Sequence, residues 1–107
     1  MENPCSQGLP GDDLIVLSLS GERLHNLSDL HQQVVDSGIA PEYYGRNLDA
    51  LYDVLSETAS PVVVLWFAFD LSKQELGKDF ERVLEVFEDV QRARPKGQFC
   101  YYLLPSS

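Results

Sequence analysis

Pro41-Glu42-Tyr43-Tyr44-Gly45-Arg46-Asn47-Leu48-Asp49-Ala50-Leu51-Tyr52-Asp53-Val54-Leu55 changes character at Asn47. Before it the chain is an aromatic loop with a proline at its start and a glycine inside it. After it the apolar residues recur at helical spacing. With Leu48 as origin and ~100° per residue, Leu51 and Leu55 fall within ~60° of it and form the inward side. Asp49, Asp53 and Ser56 gather on another side, with Glu57 just beyond. Tyr52 sits at the boundary, where its ring can pack and its hydroxyl reach water. Asn47 is the expected N-cap, and Gly45 is the residue expected to supply the positive φ of a sharp loop-to-helix turn.

The outward face is electrostatically unbalanced. Asp49 and Asp53 form an i,i+4 like-charge pair, which costs an isolated helix roughly 0.2–0.5 kcal/mol. No Lys or Arg lies between Asn47 and Ser60 to relieve it. The helix dipole compensates Asp49 in the first turn more than Asp53. Unrelieved repulsion of this kind points to a cation brought by a partner, and the alternative is a solvated acidic face with no function.

On either side of this stretch the chain alternates between strand and helix patterns. Leu14 to Leu19 is nearly all apolar and predicts a strand buried on both faces, ended by Ser20-Gly21. Ser28 is the expected cap of a helix from Asp29 to about Asp36, with Leu30, Val34 and Val35 inward and Ser37-Gly38 as the stop. Pro61 opens a second strand, Val62 to Phe67, whose β-branched and aromatic residues predict a central position. Asp70 to Gly77 is a polar connection with room for a turn or short helix. From Asp79 to about Arg94 the period is the clearest of the chain: Phe80, Val83, Leu84, Phe87 and Val90 lie on one stripe, with Glu81, Glu85, Glu88 and Asp89 outside it. Arg92 and Arg94 suit the negative end of that helix, and Pro95 and Gly97 stop it. Phe99 to Leu104 is a third strand. This order predicts an α/β fold with a small parallel sheet. Residues 1–13 read as a loose tail and residues 14–105 as one domain.

The 107 residues carry eight Lys and Arg against seventeen Asp and Glu, a formal net charge of −9 with a pI near 4.4. Such a surface disfavours nucleic acid and anionic membranes, since both require basic contacts. It favours a basic protein partner and speeds encounter with one. No apolar run reaches the ~20 residues a membrane span requires, and the N-terminus lacks the pattern of an export signal. Cys5 and Cys100 are therefore expected as reduced thiols in a cytoplasmic protein. His25 and His31 lack metal-ligand spacing and read as surface or partly packed residues. No metal, cofactor, phosphate loop or nucleophile elbow is expected.

The order Pro41-Glu42-Tyr43-Tyr44-Gly45-x-Asn47-Leu48-Asp49-Ala50-Leu51 resembles the signature of barstar-type ribonuclease inhibitors. The likeness extends to Ser28-Asp29-Leu30-His31, to the Pro61–Trp66 strand and to Val83-Leu84-x-Val86-Phe87. It implies a three-stranded parallel sheet packed with about four helices. It further implies a cytoplasmic, monomeric inhibitor, part of a toxin-antitoxin-like immunity arrangement. Such an inhibitor blocks a basic, secreted, guanyl-preferring ribonuclease of the barnase type in a one-to-one complex. By resemblance Asp53 is the central carboxylate that occupies a phosphate site of the enzyme, and Asp49 is its neighbour one turn earlier. Tyr43 and Asn47 match loop contacts, Gly45 matches the glycine between them, and Asp89 matches a peripheral acidic position on the late helix. With Arg46, Leu48, Tyr52, Ser56 and Glu57 these make up the expected partner-facing set.

Several positions depart from the family pattern. Tyr52 stands where a tryptophan occurs and Ser56 where a threonine occurs. Arg46 replaces an acidic residue, Glu57 is an added carboxylate, and Asp89 is shorter than the glutamate it replaces. Two other readings compete with inhibition. One is an acidic binding module of the same fold with a basic partner that is not a nuclease. The other is an enzyme using Asp49 and Asp53 as acid and base, which would require the two to sit in different environments.

Overall fold

The computed structural model describes residues 14–106. Three strands, β1 (Ile15–Ser20), β2 (Val62–Phe67) and β3 (Phe99–Leu104), form a parallel sheet in the order β1-β2-β3. Ile15 pairs with Val62, and Val62 with Phe99. Parallel neighbours need long crossovers, and helices supply both. α1 (Leu27–Asp36) and α2 (Leu48–Glu57) join β1 to β2, while α3 (Phe69–Leu76) and α4 (Lys78–Ala93) join β2 to β3. The α/β class and the parallel sheet are as the sequence predicts, and the four helices are as the family resemblance implies. The loose-tail reading of residues 1–13 lies outside the described residues.

The core lies between the helices and one face of the sheet. Leu17 and Leu19 of β1, Val62, Val64 and Trp66 of β2, and Phe99 of β3 are buried there together with Phe80, Val83, Phe87 and Val90 of α4. Trp66 is its centre. Its ring lies 5.2 Å from Phe80 and 6.1 Å from Phe87, and its Nε1 donates to the buried Ser72 hydroxyl at 2.9 Å. That bond satisfies the indole without giving up its packing.

Three local expectations need correcting. β1 is not buried on both faces: Val16 and Ser18 are exposed while Leu17 and Leu19 are covered. It is one of the two edge strands, and the core reaches it from one face. The cap of α1 is Asn26, not Ser28; the Asn26 side chain accepts from Asp29 N, and Asp29 in turn accepts from His25 N, both at 2.9 Å. This reciprocal pairing satisfies two amide donors and draws Leu27 and Ser28 into the helix. Arg94 closes α4 with its backbone N–H, which donates to Val90 O, but its side chain does not serve that end. Its guanidinium donates to Leu55 O at 3.0 Å and Ser60 O at 3.1 Å, at the C-terminal end of α2. The reduced-thiol reading of Cys5 and Cys100 turns on Cys5, which lies outside the described residues; Cys100 itself is buried.

The polar connection after β2 forms a full short helix, α3, launched from Ala68 in the left-handed region at φ 53°. Gly21, in the 3₁₀ turn Gly21–Arg23, passes directly against that corner; a Cβ there would sit 2.0 Å from Ala68 O. Backbone atoms cannot yield as a flexible side chain does. Gly21→Ala is expected to lower stability by about 1–3 kcal/mol, the usual cost of overpacking, with the slope of urea unfolding unchanged. A wild-type midpoint would refute the close crossing.

Candidate functional site

α2 is fixed at both ends. Asn47 Oδ1 accepts from Ala50 N at 2.7 Å, and Asn47 O accepts from Leu51 N at 2.9 Å, so the expected N-cap is present. At the other end Arg94 neutralises carbonyls that would otherwise meet only water, where a cation is favourable. Leu51 and Leu55 are fully buried beneath, and half-buried Leu48 and Tyr52 pack against the same core. Leu48 is thus mainly an anchor, with only part of its surface at the site.

The outward row is Asp49, Asp53 and Glu57, each four residues from the next and each exposed. The ion pairs among the described residues are His25–Glu75, Arg82–Asp79 and Arg92–Asp89, so none reaches this row. Glu57 extends the like-charge stack by one turn. Ser56 turns its hydroxyl back to Tyr52 O at 2.7 Å. Its oxygen can still accept, but its proton is committed to the helix.

The loop before α2 differs from the sequence expectation at one residue. Gly45 does not take the positive φ; Arg46 does, at 54°. The value of Gly45 is room, since a Cβ there would come within 3.2 Å of Asn47 Nδ2 and crowd the capping side chain. Arg46 Nη1 donates to Gln32 Oε1 of α1 at 3.1 Å, so this lone cation of the loop is tied to its own protein. Tyr43 is 85% exposed, whereas Tyr44 turns inward. Between loop and helix lies a cleft of about 340 Å³ with Pro41, Tyr43 and Tyr44 on one side and Asp53, Val54 and Glu57 on the other. The structure therefore brings Tyr43, Gly45, Asp53 and Glu57 to one cleft. Asp49 lies one turn earlier on the same helix row, and Arg46 and Asn47 lie on the far flank of the loop. Asp89, on α4, does not line the cleft and is ion-paired with Arg92.

His31 is the residue that sequence reading missed. It is 3% exposed, and its Nδ1 lies 2.6 Å from the Tyr44 hydroxyl, with the rings 5.6 Å apart. Burial pushes Tyr44 up to about 12, partly offset by the Arg46 charge. Burial, and then the same charge, hold His31 below its ordinary value. A sequence signal existed: His31 falls on the helical row of Leu27 and Val34, facing inward. Among the described residues no group of three or more His, Cys, Asp or Glu side chains could hold a metal, and no helix is long and apolar enough to cross a membrane.

A small parallel α/β domain presenting an acidic helix beside an aromatic loop defines the class. Comparison with known proteins gives the family: the one described as Barstar (barnase inhibitor) matches residues 14–104. The chain belongs to the barstar family. It is also similar to a Bacillus subtilis (strain 168) protein named "Putative ribonuclease inhibitor YrdF", 36% identical over 74 residues that cover 68% of this chain and 81% of the relative.

The cap provides a direct test of how α2 is held. Asn47→Ala is expected to cost about 1 kcal/mol in chemical unfolding, while Asp53→Asn, which removes a like-charge repulsion, is expected to give a small gain. A loss of stability in Asp53→Asn would mean that Asp53 has a stabilising partner within the chain.

Proposed function

We propose that the protein is a one-to-one inhibitor of a small basic ribonuclease of the barnase type, and that it acts by filling the enzyme's active site with α2 and the loop before it. The observation that carries this reading is the row Asp49, Asp53 and Glu57, which is exposed, without ion pairs among the described residues, and set on a helix fixed at both ends. A ribonuclease must hold RNA phosphates with Arg, Lys and His donors, and carboxylates on a rigid face can accept those same hydrogen bonds. Membership of the barstar family supports this, as does the name of the Bacillus subtilis relative.

In this reading Asp53 is the central contact, because it shares a wall with the cleft that Tyr43 and Tyr44 close from the other side. An incoming cationic side chain would meet a carboxylate and an aromatic face together, a favourable combination once water is displaced. Tyr43 contributes contact area, Asn47 and Gly45 keep the loop in register, and Asp49 and Glu57 extend the negative field along the helix. The net charge of −9 steers the encounter and makes it salt-dependent. Free in solution the inhibitor is a monomer that acts in the cytoplasm, where a secreted nuclease is dangerous to its producer. Acid–base catalysis by Asp49 and Asp53 is disfavoured, because both sit exposed on one helix face in similar surroundings. A binding module with a basic partner other than a nuclease is the second reading, favoured by Arg46 standing where the family pattern has an acidic residue.

Titration calorimetry against a panel of small guanyl-preferring ribonucleases tests the assignment. Asp53→Ala is expected to weaken binding by about 2 kcal/mol or more, at least about thirtyfold in Kd, the range of hot-spot residues, those of barnase–barstar included. Asp89→Ala should cost far less, because Asp89 is outside the cleft and already paired. The reverse order would overturn the site, and capture of a different basic protein with no ribonuclease bound would favour the second reading.

A further inference from the structure

We infer that His31 is a positioning residue for the partner-facing loop: through the Tyr44 hydroxyl it holds residues 41–47 against α1, and taking up a proton releases that hold. The inference rests on reading that loop and α2 as the partner-facing surface. It uses a group that the proposed inhibition does not.

The geometry leaves His31 few ways to carry a charge. Its ring is 3% exposed, and Tyr44 and Arg46, both from the loop, lie over it. Tyr44 stays protonated at every physiological pH, so its hydroxyl can donate to Nδ1 of the neutral ring in the tautomer with its proton on Nε2. A second ring proton makes Nδ1 a donor. The tyrosine proton must then turn away, and a buried cation is left beside the loop.

Among the described residues the compensation on offer is the Tyr44 hydroxyl oxygen alone, which can accept from Nδ1 but carries no charge. The ionisable groups that face His31 are Tyr44 and Arg46 from the loop, and Arg46 is itself a cation. The groove at His31 is otherwise lined by Leu27 and Ser28 of α1, Asn47, and Leu48 of α2, with no carboxylate. An imidazolium there gains hydration only when the loop lifts, since uncompensated buried charge is strongly disfavoured.

The direction with pH follows. A histidine held below its unfolded value near ~6.5 binds fewer protons folded than unfolded. Its contribution to holding the loop is therefore complete above ~6.5 and is lost as pH falls through the lower, folded value. The partner-facing surface is best ordered at neutral pH and loosens as the surroundings acidify. Tyr44 also lines the Asp53 cleft, so the loosening reaches the wall of the proposed contact.

Hydrogen exchange on the free protein, between pH 7.5 and 5, reads this directly. The reporter is the Tyr44 amide, which donates to Pro41 O at 3.1 Å. Protection at Tyr44 to Asn47 should fall by up to about tenfold per pH unit below ~6.5, with β2 amides unaffected and the His31 ring titrating in step. His31→Gln keeps a donor and an acceptor but gains no charge, so it should retain loop protection throughout. Tyr44→Phe should expose the loop at pH 7.5 with no further change on acidification, and it decides the matter should His31→Gln fail to fold. Loop protection that ignores pH in the wild type, or falls alike in His31→Gln, would overturn the inference, as would Tyr44→Phe behaving like wild type. No ribonuclease is present, so these outcomes are separate from success or failure of the inhibitor reading.

Discussion

A helix that carries Asp49, Asp53 and Glu57 in one row repels itself, so everything else about α2 must hold it in place. Leu51 and Leu55 bury its underside completely. Asn47 closes its first turn and Arg94, arriving from the end of α4, binds the Leu55 carbonyl in its last turn and Ser60 O just beyond. This division keeps stabilising contacts on the inner side and at the ends. The outer row has no ion pair among the described residues, and in the proposed function it meets charges that a partner brings. A lysine among those carboxylates would stabilise the free protein and occupy the acceptors that the proposed inhibition requires.

The sequence was most informative where local chemistry and burial agree. The stripe of α4, the strand Val62–Phe67, the Asn47 cap and the two faces of α2 could all be read from spacing, because in each the apolar residues leave one arrangement open. It misled where the answer depended on neighbours distant in sequence. β1 is apolar enough to be buried twice over, yet its place at the sheet edge leaves Val16 exposed. Arg94 is near the end of its own helix and its side chain serves another one. His31 could be placed on an inward row, but its partner Tyr44 lies in a loop whose path periodicity does not report. Ser28 is a good cap in isolation and lost to Asn26, which pairs reciprocally with the segment around it.

The loop shows the same dependence at finer scale. Gly45 invites the expectation of a left-handed residue, and the turn places that conformation on Arg46 instead. A β-carbon at Gly45 would press on the Asn47 side chain, so the glycine protects the cap of the very helix it precedes. Arg46 is the residue least like the family pattern. Its guanidinium is held by Gln32, and its charge acts on His31 and Tyr44. Its part in the free protein is therefore internal as well as any it plays toward a partner.

The account as a whole makes one demand: that an acidic surface held rigid should stop RNA cleavage by occupying the enzyme. Titrating the protein into a barnase-type ribonuclease at low salt and following RNA hydrolysis tests it most directly. Cleavage should fall linearly to nothing at one inhibitor per enzyme, and recover when Asp53 is replaced by alanine at concentrations near the weakened Kd. Undiminished cleavage across such ribonucleases in a large excess of folded protein would contradict the account.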